Sequence, residues 1–145
     1  MPGIVVGLDG SDGARRALDW AMQEAAVHGA PLTVVAVHEV PKSYWGGIPV
    51  VGPGDASVMN TLQQAAEEMT QRAAARLGDR GPTSVTVRAR TGFVVKEILD
   101  AAQDADLVVL GSRSTSSLSR LLIGSVSHEV MQHSRCPVAI VPHNR

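Results

Sequence analysis

Cysteine, aromatic residues, charge imbalance and long apolar runs are all scarce in this sequence, and each scarcity excludes something. A single cysteine, Cys136, stands in 145 residues, which rules out an internal disulfide and a cysteine zinc cluster. Only four aromatics occur, Trp20, Tyr44, Trp45 and Phe93. No apolar run approaches the ~18 residues that span a bilayer. Met1-Pro2-Gly3-Ile4 leads straight into an apolar segment, so no signal peptide is expected and a cytoplasmic location is. Neither sign of charge dominates: 13 basic against 14 acidic residues give a formal charge of -1. That leaves no electrostatic footprint for nucleic acid or an anionic membrane. Gly7-x2-Gly10-x2-Gly13 lacks the G-x-G-x-x-G spacing of a dinucleotide site. G-x4-G-K-S/T is also missing, which argues against an ordinary P-loop ATPase. No Ser-His-Asp or paired-carboxylate constellation stands out.

What is present reads as one globular domain spanning residues 1–145, with 44% hydrophobic and 19% charged residues. Ile4 to Leu8 is a first buried strand, and Asp9-Gly10-Ser11-Asp12-Gly13 a tight turn into a helix. That helix places Ala14, Ala17, Leu18, Ala21, Met22 and Ala25 at i, i+3, i+4 spacing. Gly29 and Pro31 stop it. Leu32 to Val37 is a second buried strand, followed by a Gly/Pro-rich loop from Pro41 to Gly54. A long helix from about Asp55 to Leu77 is expected to bury Val58, Leu62, Ala65, Met69 and Ala73. Ser84 to Arg90 alternates apolar and polar residues, the pattern of a half-exposed edge strand. Val95, Ile98, Leu99 and Ala102 mark a short helix, and Val138 to Val141 a final strand. Strands alternating with helices predict a parallel sheet with helices on both faces. In such sheets ligands sit beyond the carboxyl ends of the strands, where strand order reverses.

The stretch from Asp106 to Ser127 carries the chemistry. Leu107 to Leu110 is a fully apolar run too short for a helix, and so reads as a buried strand that Gly111 breaks. Six of the eight residues after Gly111 are Ser or Thr. Gly124-Ser125-Val126-Ser127 then opens a helix ending near Ser134. A strand, a small polar loop and a glycine at a helix start form the plan of a phosphate site, because free backbone N–H groups and the helix dipole attract an anion. By composition alone, such a loop is as often a solvated connector.

The spacing is more specific. Gly111, two residues, position 114, nine residues and then Gly124-Ser125 resembles the Gly-x2-Gly-x9-Gly-Ser/Thr nucleotide loop of the universal stress protein family. Val5-Val6-Gly7-Leu8-Asp9-Gly10-Ser11 resembles the opening of that family, and Cys136-Pro137-Val138-Ala139-Ile140-Val141 its closing strand. The likeness covers nearly the whole chain. It departs at position 114, which is Ser where nucleotide-binding members carry Gly.

This resemblance implies an α/β fold of the adenine nucleotide alpha hydrolase-like, Rossmann-like type, a five-stranded parallel sheet in the order 3-2-1-4-5. The reversal then falls between the strand before Asp9 and the strand before Gly111. It also implies an ATP-binding regulatory module of the stress response, with magnesium accompanying the nucleotide and at most slow hydrolysis. Implied contacts are Gly7, Leu8 and Asp9 after the first strand, and Val37 and Glu39 flanking the base. Leu110, Gly111, Arg113, Ser114, Gly124, Ser125, Val126 and Ser127 would line the phosphate side. Glu39 stands where a small or apolar residue is usual. A homodimer pairing Val138 to Val141 antiparallel with its counterpart is implied as well.

Several residues admit a plainer reading. Asp9 is a natural turn-former; in a nucleotide site its carboxylate would repel phosphates and belongs at the base or ribose end. His38 can be an ordinary strand-end residue. Arg113 and Arg120 flank the Ser-rich loop, and Arg113, close after the strand, is the better phosphate partner. His128 and His133 are five apart, the wrong spacing for two metal ligands on one helical face, so no structural metal is expected. Cys136 reads as a small buried residue. Tyr44 and Trp45 either pin their loop to the body or form a flap near the base. Two further readings stay open: a dimeric interaction module without nucleotide, favoured by Ser114 and Glu39, and a cyclic AMP binder using the same crevice.

Overall fold

The computed structural model describes residues 3–8, 13–39, 43–45, 48–50, 56–112 and 125–142, and only the backbone at 43–45 and 48–50. In chain order the elements are β1 Ile4–Leu8, α1 Ala14–His28, β2 Leu32–Glu39, β3 Ser43–Trp45 and β4 Ile48–Val50. They continue with α2 Ala56–Leu77, β5 Val85–Gly92, α3 Val94–Ala101, β6 Leu107–Gly111, α4 Ser125–His133 and β7 Val138–Val141. A main sheet of five parallel strands runs β5-β2-β1-β6-β7. Counting only its own strands, that is the order 3-2-1-4-5, with the reversal between β1 and β6.

Because successive side chains on a strand point to opposite faces, the apolar runs feed two separate cores. Ile4, Val6 and Leu8 of β1 with Leu32, Val34 and Ala36 of β2 pack against α1 and α2. Val5 of β1 with Val35, Val37, Val108 and Leu110 packs against α3 and α4. The predicted stripe of α1 is the buried one, Ala14, Ala17, Leu18, Ala21, Met22 and Ala25. Its C-terminus closes as expected. Gly29 takes φ 62, which suits a residue without a Cβ, and Ala30 donates to the Ala25 carbonyl at 2.9 Å.

On α2 the structure corrects the expected face. Ala66, Thr70 and Ala73 are buried, with Leu62 and Met69 partly so, while Val58 is 38% exposed and Ala65 faces solvent. The buried stripe includes a threonine, which hydropathy alone does not assign to a core. Its hydroxyl donates to the Ala66 carbonyl at 2.7 Å, so burial leaves no unpaired group.

Four boundaries differ from expectation, the first being β2, which runs on to Glu39 beyond Val37. The stretch from Pro41 to Gly54 includes the antiparallel pair β3–β4, with Trp45 opposite Ile48 and only Gly46-Gly47 between them in sequence, a dipeptide suited to a tight hairpin turn. Gly111 does not break β6; it is the last residue of that strand and pairs with Val141. β5 extends to Gly92, beyond Arg90.

The two sheet edges are unlike. β5 is an edge strand, as its alternating pattern predicts, and Gln63 of α2 closes part of it. The Gln63 amide accepts from the Ala89 N–H at 2.8 Å and donates to the Val87 carbonyl at 3.0 Å. One side chain thereby occupies a donor and an acceptor that an edge would offer to another strand. β7 forms the opposite edge, with Val138, Ala139 and Ile140 only half-buried.

Candidate functional site

At the carboxyl ends of β1 and β6 two segments meet backbone to backbone. A Cβ on Gly13, which precedes α1, would lie 2.6 Å from the Ser112 carbonyl oxygen. One on Gly111 would lie 2.6 Å from both the carbonyl carbon and oxygen of Gly13. Neither position tolerates a side chain without moving main chain. Gly111 thus has a packing requirement of its own, besides the loop role its spacing suggests.

Ser127 ties the next element into the same seam. It is buried in the first turn of α4, and its hydroxyl donates to the Gly111 carbonyl at 3.1 Å. The hydroxyl proton is therefore used inside the protein, and only the backbone N–H of Ser127 adds to the free donors of the helix start. Ser125 is exposed and Val126 half-buried at that start.

The remaining predicted residues sort by depth. Gly7 lies beneath α3: a Cβ there would come within 2.8 Å of both Ile98 Cδ1 and Leu110 Cδ2. Leu8 is buried on the α1 face, so it can offer a ligand only its backbone. Val37 and Leu110 are buried in the core beneath α3 and α4. Glu39 is exposed as the last residue of β2, opposite Gly92 of β5. Asp9, Arg113, Ser114 and Gly124, together with Arg120, lie outside the described residues, as do the side chains of Tyr44 and Trp45.

Between the ends of β2, α3 and α4 runs an open groove of about 610 Å3. Phe93, Val94, Val95, Leu99 and Val126 form its apolar wall, with Ser125 and Glu39 also on its lining. Lys96, Asp100 and Glu129 complete it. Lys96 donates to Asp100 at 2.8 Å, and that hydrogen bond with the adjacent carboxylate charge raises the lysine pKa above its usual value. The lysine therefore stays cationic at neutral pH, and its charge is already engaged.

Sequence reasoning linked Glu39, Ser125 and Val126 to the site but missed the start of α3. The signal was there: Gly92 ends a strand of a parallel sheet, Phe93 follows it directly, and ligands lie beyond such ends. An apolar groove bordered by two helix starts, a small hydroxyl and the carboxylates of Glu39, Asp100 and Glu129, of which Asp100 is held by Lys96, can hold a molecule with an aromatic body, an anionic end at the start of α4 and a hydrogen-bonding end.

The family model for the universal stress protein family matches residues 2–142. The chain belongs to the universal stress protein family. Universal stress protein YxiE of Bacillus subtilis is 32% identical over 144 residues, covering 95% of this chain and 97% of that protein. A universal stress protein of Mycolicibacterium smegmatis is 32% identical over 143 residues, covering 96% of this chain and 47% of its own length. The chain thus spans about half the length of the mycobacterial relatives it matches. Among solved structures, a universal stress protein in complex with cAMP aligns with a TM-score of 0.68 and 28% identity, over 99% of this chain and 98% of that one. A universal stress protein from Archaeoglobus fulgidus in complex with dAMP shares the fold, with a TM-score of 0.60 at 22% identity, over 97% of this chain and 98% of that one.

The other residues weighed from sequence are placed plainly by this universal stress protein fold. Cys136 is half-buried at the entrance to β7 beside Ser134, whose hydroxyl donates to the Cys136 carbonyl at 2.8 Å. His128 and His133 are exposed on α4. Among the described residues, no helix is long and apolar enough to cross a membrane.

Proposed function

We propose that this universal stress protein is a single-domain, cytoplasmic ATP-binding regulatory module of the stress response that signals by nucleotide occupancy, with at most slow hydrolysis. The observation that carries the reading is the groove between the end of β2 and the starts of α3 and α4, where Ser125 and Val126 meet an apolar wall. The relative solved with cAMP supports a nucleotide in this fold. In this reading phosphates rest on the N–H groups of Ser125 to Ser127 and on the Gly111 to Gly124 loop, with Arg113 as counter-charge and magnesium accompanying the triphosphate. Asp9 accepts hydrogen bonds from the base or ribose, with the backbone of Gly7 and Leu8 beside it.

Calorimetric titration with ATP, AMP and cyclic AMP, with and without magnesium, tests the proposal. ATP is expected to bind in the micromolar range. A serine at position 114 costs on the order of 1–2 kcal/mol if it takes the positive φ that glycine adopts, while its hydroxyl regains about 1 kcal/mol through a phosphate bond. Ser114→Gly should therefore change affinity by less than about ten-fold, whereas Gly124→Asp should remove binding through bulk and like charge at the helix start. Cyclic AMP binding tighter than ATP would favour the second reading, which the cAMP-bound relative supports. Absence of ATP binding in wild type with strong rescue by Ser114→Gly would favour a nucleotide-free interaction module.

The module is proposed to act as a homodimer through β7, two copies pairing Val138 to Val141 antiparallel about a two-fold axis. Support comes from the edges: Gln63 occupies part of β5, while β7 offers the other edge. Sedimentation should show a dimer at tens of micromolar that Ile140→Lys disrupts, and a monomer in wild type would refute the pairing.

A further inference from the structure

Glu39 gives the groove a chemical preference that phosphate recognition leaves untouched. We propose that Glu39 sets the base specificity of the site by requiring an amino group on the edge of the bound purine; this inference rests on the nucleotide reading above. If phosphates sit at the start of α4, beside Ser125 and Val126, the base must lie further along the groove, against Phe93, Val94, Val95 and Leu99. That wall adjoins the end of β2, where Glu39 enters the lining. Among the described residues Glu39 makes no ion pair, and Lys96, the only cation on the lining, is held by Asp100 at 2.8 Å. Among these residues Glu39 therefore has no protein partner to give up to a ligand; Glu129, the other unpaired acid on the lining, lies on α4 at the phosphate end.

An ionised carboxylate only accepts hydrogen bonds. A 6-amino group donates to it and forms a charge-assisted bond. A 6-oxo group sets lone pairs against lone pairs, which forfeits the bond and adds repulsion. Adenine and hypoxanthine nucleotides offer that contrast at position 6, where the amino group of one is a carbonyl oxygen in the other and the edge donor of hypoxanthine moves to N1. Sites built around a required hydrogen bond discriminate strongly against analogues that cannot make it. In an exposed groove water competes for both groups, so discrimination falls far below that of a closed site, to at least about ten-fold for ATP over ITP.

The experiment is calorimetric titration of wild type, Glu39→Gln, Glu39→Val and Gly124→Asp with ATP and with ITP, at matched magnesium. Wild type is expected to prefer ATP by at least about ten-fold. Glu39→Gln can turn either its N–H or its C=O toward the base, so the preference should shrink to within about three-fold. Glu39→Val removes the acceptor, and both nucleotides should bind within about three-fold of each other, ATP losing less than about ten-fold. Equal binding of ATP and ITP by wild type, or a full preference surviving in Glu39→Val, overturns the role of Glu39 and leaves the nucleotide reading standing. Wild type binding neither overturns the nucleotide reading itself, and the inference falls with it. Loss of both nucleotides in Gly124→Asp, with a thermal transition matching wild type in every Glu39 variant, separates phosphate binding from base reading and from folding.

Discussion

The two faces of the sheet are built for different ends. On one face α1 and α2, 15 and 22 residues long, share with the strands a cluster of seventeen buried residues among the described residues. On the other, α3 and α4 are only 8 and 9 residues long, and the corresponding cluster holds nine among the described residues. Alanines at positions 14, 17, 21 and 25 let α1 lie close against the strands, whereas the short second pair leaves a groove at the carboxyl end. The difference teaches where stability and recognition separate in the proposed reading: the face under the long helices holds the fold, and among the described residues the face under the short ones carries the groove.

Substitutions on the two faces should therefore fail in different ways. The largest effect is expected from Leu18→Ala on the closed face, where the side chain is fully buried. It should cost about 3 kcal/mol and lower Tm by roughly 6–12 °C at about 2–4 °C per kcal/mol, measured by urea and thermal unfolding. Next comes Gly111→Ala in the seam between β6 and the start of α1. Its new Cβ must displace Gly13 backbone, for about 2 kcal/mol. A neutral result there would dissolve the close contact on which the crevice geometry depends.

Ser127→Ala should cost about 1 kcal/mol by removing the donor to the Gly111 carbonyl, and Ser127→Thr, which keeps a hydroxyl, should recover part of it. On the open face, Leu99→Ala removes a half-buried side chain from the groove wall. Its stability cost should stay below about 1 kcal/mol, while ATP affinity falls several-fold. If Leu99→Ala destabilises as much as Leu18→Ala, the contrast between the faces is broken. Smallest of all is Lys96→Ala, whose ion pair with Asp100 is exposed at both ends. Such pairs contribute little, and no resolvable change in Tm is expected.

Local pattern alone determined much of this protein. The alternation of short apolar runs with amphipathic segments predicts the parallel sheet, because burial on both faces demands continuous apolar strands while a helix needs only a stripe. The α1 stripe and Val138–Val141 were legible residue by residue, and the Gly111-to-Ser125 spacing pointed to the family. Tertiary structure decided the rest. Which stripe of α2 turns inward depends on where it lies across β2 and β5, and a threonine there is acceptable only because its hydroxyl finds the Ala66 carbonyl. Gly13 and Gly111 need to be glycine partly because they touch each other, a requirement no local window contains. The groove belongs to three elements distant in sequence, the end of β2 and the starts of α3 and α4. Periodicity is set by neighbours along the chain, but a site is set by which chain ends the sheet brings together.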